Sequence, residues 1–434
     1  MRLCMVTTFY PPWNYGGDGL FVQRLVRRLR AEGHHVDVVH DADWFDHENP
    51  ATAGERAPEA PTPLGETFVL SSRAGVLSSL LVQQLGRPVL HRGALARILA
   101  GEAPRAAGEG GPYDVIHYHN VSLVGGPGVL TLGPDGGRTL KVYTTHEHWL
   151  VCPMHVLWRY DQRPCDAPRC LRCQLAARRP PQTWRYAGTL GRALRAVDHV
   201  FCPSAYALDN HRRGGIDAPM SVLPHFCEGP EEPAPRPRAR SDERPTFLYV
   251  GRLETIKGVD DVIEAARRAP ELAVHVVGDG ADAGRLARRA LGLRHVELLG
   301  RVPPEKLDAL YRGARAVVVP SRAPETFGMI VIEAFAQGVP VIARDFGPFP
   351  ELLADGGGLL FSGVDGLAAA MRTLAGSPAG AAAQGRAARD RWERLHTPRA
   401  HLRAYFGTLA RLGEGRLRAP ALEEARSLAE AGAA

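Results

Sequence analysis

With 434 residues and 45% apolar composition, the chain is too long for one ordinary core and suits two domains of roughly 200 residues each. Charged residues make up 23%, and 53 Lys and Arg against 47 Asp and Glu give a net charge of +6 and a pI near 9.0; this mild excess is not the concentrated basic stripe of a nucleic-acid binder, so no nucleic-acid partner is expected. No apolar run reaches the roughly 18 residues that a membrane span needs.

The opening "MRLCMVTTFYPP" has one Arg and a short apolar run before two prolines, and reads as a first strand rather than a signal peptide. Seven cysteines in a long chain without such a leader fit a reducing compartment, so a cytoplasmic location is expected. Further strands are predicted at "HVDVVHD", "TFVLS", "DVIHYH", "KVYTTH", "HVFCPS" and "SVLPH". Helices lie between several of them; Leu25, Val26 and Leu29 give residues 20–31 one apolar face. Residues 49–64 read as a surface loop. In "YPPWNYGGDGLF", Gly16 and Gly17 precede a helix expected to start near Gly19. A loop there can offer its N–H groups to a phosphate. The alternatives are a plain turn and a dinucleotide fingerprint, but the glycines are not spaced G-x-G-x-x-G.

"YTTHEHW" ends a strand at His146, and a lone histidine in such a place is more often structural than functional. His148 and His119, in "HYHN", are the neighbours that could share a cleft with it. Then Cys152, Cys165, Cys170 and Cys173 crowd four thiols into a Pro-interrupted segment. The Cys-x2-Cys end suits tetrahedral zinc, and a closed four-cysteine site would be structural. Reduced buried thiols and a redox pair are the alternatives, since the spacing differs from common zinc ribbons. Between Arg159 and Arg195 arginines abound, among them Arg169, Arg172, Arg178, Arg179 and Arg192, against only Asp161 and Asp166. A solvated face explains this; the functional reading is a basic patch facing anionic lipid headgroups or a diphosphate-linked acceptor.

"EGPEEPAPRPRARSDERP", residues 228–245, is rich in Pro and charge and cannot join a core, so it reads as an interdomain linker. Beyond it, strands are predicted at "TFLYVG", "AVHVVG", "VELLG", "AVVVPS", "PVIARD" and "GLLF", again alternating with helices. This alternation means parallel sheets covered on both faces. The resulting scheme is an N-terminal domain over 1–227 with a Cys-rich insertion at 152–173, the linker, a C-terminal domain over 246–395, and a helical tail over 396–434 that frays at its end.

The second half carries the clearest chemistry. "ARAVVVPS" is a buried strand, followed by a loop and a helix expected to begin near Thr326 or Phe327. A helix N-terminus is a natural phosphate seat, and Gly328 lets a ligand approach the backbone. Glu325 stands beside that seat, and Glu333 lies about two turns further on among apolar neighbours. A buried carboxylate needs hydrogen-bond partners, which sugar hydroxyls supply. "YVGRLETIKG" sets Arg252 and Lys257 in the turn after a strand, where two cations can neutralise a diphosphate. "VVGDG" ends the next strand with Gly278 and Gly280.

Taken together, "ETFGMIVIEA", "GRLETIKG" and "VVGDG", in this order across residues 246–361, resemble the retaining glycosyltransferases of family 4, also called group 1. The resemblance implies an α/β GT-B fold: two Rossmann-like doubly wound domains facing each other across a cleft, with a nucleotide-sugar, UDP- or GDP-linked, in the C-terminal domain. By that likeness Glu325 holds the donor sugar hydroxyls, Glu333 the ribose, and Arg252 and Lys257 the diphosphate. The backbone at Phe327, Gly328 and Met329 contacts sugar and phosphate, and Arg301 and Val302 lie beside the base. Gly16 and Gly17 match the family's opening loop, although Leu20 and Phe21 stand where an acidic residue is common. His146 matches a histidine that contacts the donor sugar near the reacting carbon. Pro224-His225-Phe226 replaces the usual Pro-Asn-Gly, and no role is assigned to it. The likeness implies no catalytic divalent metal. The expected acceptor is a glycan or lipid-linked glycan intermediate, or a small molecule, with peripheral contact to anionic membrane at the inner face. The rivals are a nucleotide-sugar epimerase of similar fold and a non-catalytic scaffold.

Overall fold

A computed structural model describes residues 1–434 except 53–54, 107–109, 135–136, 161, 232–243 and 431–434. In chain order its strands are β1 (Arg2–Val6), β2 (His35–Asp41), β3 (Thr67–Leu70), β4 (Val115–Tyr118), β5 (Leu140–Thr144), β6 (Trp158–Arg159), β7 (Arg163–Pro164), β8 (His199–Cys202) and β9 (Met220–Val222). They continue as β10 (Thr246–Val250), β11 (Ala273–Val277), β12 (Val296–Gly300), β13 (Ala316–Val319), β14 (Val341–Arg344) and β15 (Gly358–Phe361). The chain divides into two compact units, one of Met1–His155, Pro168–Leu223 and His401–Ala434, the other of Val156–Ala167 and Pro224–Ala400.

The first unit is built on a parallel sheet ordered β3-β2-β1-β4-β5-β8-β9. Its central strands are near-continuous apolar runs because helices cover both faces: Leu3, Met5, Val36, Val38, Val115, Ile116 and Val142 are all fully buried. The order reverses direction between β1 and β4, which makes that gap the switch point where doubly wound sheets bind ligands. The tail predicted over 396–434 is not a separate appendage, because residues from His401 onward belong to this unit. Tyr405, Phe406 and Leu409 of the helix Pro398–Gly413 are fully buried there, with the Tyr405 ring stacked on His117. Ion pairs seal the join: Arg418 to Asp114 at 2.8 Å, Arg416 to Asp198 at 2.5 Å, and Glu424 to the N-terminal amine at 2.6 Å.

The second unit has a parallel sheet ordered β12-β11-β10-β13-β14-β15. Its switch point falls between β10 and β13, which pair Leu248 with Val317. Most of the predicted linker lies outside the described residues. The Cys-rich stretch read as an insertion of the N-terminal domain divides: Val156–Ala167, with the small antiparallel pair β6–β7, belongs to the second unit.

Candidate active site

In the second unit every predicted binding residue except Glu333 follows the carboxyl end of a parallel strand or starts the next helix. Arg252 and Lys257 follow β10, Gly278 follows β11, Arg301 and Val302 follow β12, and the loop to Glu325 follows β13. Lys257 and Glu325 therefore approach from the two strands that flank the switch point. They meet there: Lys257 Nζ donates to Glu325 Oε1 at 2.9 Å. The loops that carry them are joined by the Arg322 N–H, which donates to the Ile256 carbonyl at 2.8 Å. Beneath, Asp261 accepts from both Arg322 and Arg344, two cations that hold the post-β13 loop against the sheet. Burial alone pushes the Glu325 carboxyl up, but the Lys257 ammonium outweighs it and holds the carboxyl below its usual range. Glu325 stays ionised, and its side chain is still 21% exposed. Arg252 is half-exposed, and its Nη1 donates to Glu254 at 2.7 Å while Tyr249 Oη fixes its carbonyl at 2.8 Å. The turn at Gly278 is pinned by its N–H to the Gly300 carbonyl at 2.8 Å.

The helix expected from Thr326 or Phe327 begins later, at Met329, with Gly328 as its N-cap. Gly328 has φ +121°, and a Cβ there would stand 2.9 Å from the Phe349 ring, so the tip requires glycine. The helix is Met329–Ala336, so Glu333 is its fifth residue, roughly 6 Å along the axis from Met329 at 1.5 Å per residue, not two turns on. Nor is it enclosed by apolar groups. It lies with Met329 and Ile330 on the half-exposed face, where Tyr311 Oη donates to its carboxylate at 3.2 Å. Phe327 is a core side chain, set edge-on to His225 at 5.2 Å and to His396 at 5.7 Å. The unassigned Pro224-His225-Phe226 segment thus braces the glycine tip, a role that its departure from the family pattern did not signal.

In the first unit the switch point is bridged by Asn120 Nδ2, after β4, donating to Asp18 Oδ2 at 3.2 Å. Gly16 is the N-cap of the helix Gly17–Ala31, in an extended conformation that any residue adopts. The close approach belongs instead to Gly19, whose Cβ would fall 2.9 Å from the Phe9 carbonyl. His146 and His119 do come together: Nδ1 of His119 lies 2.9 Å from Nε2 of His146. Phe21, standing where an acid is common, sets its ring 5.3 Å from His146. Burial pulls the His146 imidazole down to about 4, against the opposing pull of Asp18, so it is neutral at pH 7. His117 is buried and pulled well below its usual value, bonded to Thr144 Oγ1 at 2.8 Å and Tyr405 Oη at 3.2 Å. His148 is buried and stacks on His211.

Cys170 and Cys173 share the short helix Cys170–Ala176, Cys152 is buried in the first unit, and Cys165 belongs to the second. Among the described residues the only three metal-type ligand atoms within 4.8 Å of one another are those of Asp41, Asp43 and His91. That trio is tied into the fold, since Asp43 accepts from the Ser72 N–H at 2.7 Å, Ser72 Oγ at 3.0 Å and His91 at 3.0 Å.

Residues 15–228 match the family model described as Glycosyltransferase Family 4, and residues 231–391 the one described as Glycosyl transferases group 1. The chain is 30% identical over 378 residues to the D-inositol 3-phosphate glycosyltransferase of Geodermatophilus obscurus, covering 83% of this chain and 77% of that protein. Among solved structures, sucrose-phosphate synthase from Thermosynechococcus elongatus superposes with a TM-score of 0.66 at 21% identity, over 94% of this chain and 98% of its own. Anabaena Alr3699/HepE in complex with UDP-glucose does so with a TM-score of 0.59 at 17% identity, over 96% and 98%. Both likenesses show the fold, GT-B.

Proposed function

Because the chain belongs to the group 1 glycosyltransferases of family 4, we propose that it is a retaining glycosyltransferase that moves a sugar from a nucleotide diphosphate donor, UDP- or GDP-linked, to an acceptor hydroxyl. The observation that carries this is the Lys257–Glu325 pair at the switch point, beside the glycine-capped tip of Met329–Ala336. A cation, ionised carboxylate and free helix N–H groups in one place suit a molecule with a charged middle and a polyol on either side. Lys257 and Arg252 neutralise the diphosphate, the first-turn N–H groups near Gly328 and Met329 add to that, and Glu325 orients the sugar. Glu333, on the open face of the same helix, reads the ribose, with Val302 and Gly278 bordering the base. In transfer, the bond from the anomeric carbon to the phosphate oxygen breaks. The acceptor oxygen forms its bond on the same face, and its proton passes to the leaving phosphate. Stabilising the departing charge is the main service of the cations and N–H groups, so no catalytic divalent metal is required. His146, neutral and bonded to His119, and the Gly16–Gly17 loop are the residues of the first unit that the family likeness assigns to the donor.

HepE is described with UDP-glucose, which makes UDP-sugars the first donors to try. The acceptor is a glycan or lipid-linked glycan intermediate, reached by peripheral contact with anionic membrane on the cytoplasmic side; small metabolites come second. A structural zinc on Cys152, Cys170 and Cys173 with Cys165 is checked by elemental analysis. No helix of the described residues is long and apolar enough to cross a membrane.

The test is thermal-shift screening against UDP-, GDP- and ADP-sugars, then labelled-donor turnover with and without acceptor. Acceptor-dependent transfer with retained anomeric configuration is the expected result. Epimerised donor without acceptor would point to the epimerase, and no turnover with any donor to the scaffold.

A further inference from the structure

Of the sixteen large apolar side chains exposed on the described residues, eight lie in two short segments of the first unit, residues 76–101 and 168–195. The same segments hold ten arginines and no Asp, Glu or Lys, more positive charge than the net +6 of the whole chain. On the helix Val76–Leu85, Leu77 and Leu80 are three residues apart and share an outer face. On Cys170–Ala176, Leu171 and Leu175 do the same at four residues' spacing, with Leu175 58% exposed. Tyr186, 63% exposed, stands in the turn Thr183–Ala187.

The fold holds these pieces together. Trp184 Nε1 donates to the Gln83 carbonyl at 2.8 Å, and its ring covers Gly86 so closely that a Cβ there would fall within 2.8 Å. The Tyr186 hydroxyl reaches the backbone N–H of Leu171. Arg185, by contrast, is committed inward. It donates to the Trp149 and Leu150 carbonyls at 2.8 and 3.3 Å and lies over the Trp149 and Trp184 rings. The patch is thereby fastened to the loop that follows His146. All ten arginines but Arg185 are exposed, among them Arg169, Arg172, Arg178, Arg179 and Arg192.

We infer that this face docks on an anionic lipid bilayer. Only such a partner offers apolar depth for leucine and tyrosine and a layer of phosphates for arginine at once. A soluble polyanion leaves the leucines in water, and an apolar protein surface leaves the arginines without counter-charge. The inference rests on the glycosyltransfer reading for its purpose, which is to bring the enzyme to a lipid-linked acceptor.

Flotation of the full-length protein with mixed phosphatidylglycerol/phosphatidylcholine vesicles and with pure phosphatidylcholine vesicles tests it. Binding to the mixed vesicles is expected, weak binding to the neutral ones, and a decline with added salt. Leu171→Glu with Leu175→Glu should abolish it. Arg172→Glu or Arg178→Glu should each weaken it at least roughly fivefold, the worth of one basic residue near such a surface. Turnover of a nucleotide-sugar with a water-soluble acceptor should not change in these variants. Absence of flotation with the mixed vesicles, or flotation that the variants leave intact, overturns the inference. So does self-association of the wild type that the Leu variants abolish, which makes the patch a protein contact. Vesicle binding without turnover would instead leave the docking face standing and sink the enzymatic reading.

Discussion

Glu325 and Lys257 are 68 residues apart in sequence and 2.9 Å apart in space. Replacing Glu325 with Gln leaves Lys257 without its anion and, on the proposed reading, removes a charge-assisted hydrogen bond to the donor. Turnover should fall roughly ten- to a hundredfold with a smaller change in donor affinity, measured by steady-state kinetics. The partner substitution has a different signature. Glu325 is held below its usual range chiefly by Lys257 acting against burial, so Lys257→Met lets its pKa climb. The acid limb of the pH–rate profile should move to higher pH, a shift that mere loss of fold cannot mimic. His146 titrates in the opposite sense to a paired histidine. Its folded-state value of about 4 lies below the unfolded value near 6.5, so between these the unfolded chain binds more protons and stability rises with pH. The increment is complete above about 6.5 and lost as pH falls toward 4. His146→Asn removes it, so the stability gap between wild type and variant should widen with pH across that window in urea unfolding.

On the proposed reading, the element that organises the donor side is the glycine-capped helix Met329–Ala336. Gly328→Ala forces a side chain into a left-handed conformation and against Phe349, at a cost of about 1–3 kcal/mol, and should lower both Tm and donor affinity. Every strand of the two large sheets was legible from its apolar run, because parallel strands buried on both faces leave that mark. The residues at the strand ends were legible as well, since strand–turn–helix punctuation tells where carboxyl ends fall. Helix onset was not: the expected start at Thr326 or Phe327 gave way to Met329, because Phe327 turns into the core between His225 and His396. Periodicity also could not see contacts of long sequence separation. Asp261 holding Arg322 and Arg344, Asn120 reaching Asp18, and His119 meeting His146 each join residues that lie 27 to 102 positions apart. Nor could the cysteine spacing show that Val156–Ala167, between Cys152 and Cys170, belongs to the second unit.

At the scale of the molecule, the first unit is completed by the C-terminus. A chain stopped after Ala400 loses the buried Tyr405, Phe406 and Leu409 and the pairs to Asp114, Asp198 and the N-terminal amine. Each large core side chain is worth about 2–5 kcal/mol, so the first unit should unfold at ordinary temperature, seen as lost near-UV dichroism, while the second unit keeps its own melting transition. The same arrangement changes how the protein can be taken apart. Split between the two sheets and supplied as two separate polypeptides, the trailing piece carries the helices that the leading piece lacks. The halves should therefore find each other and restore activity by complementation, whereas a leading piece made alone stays an incomplete scaffold.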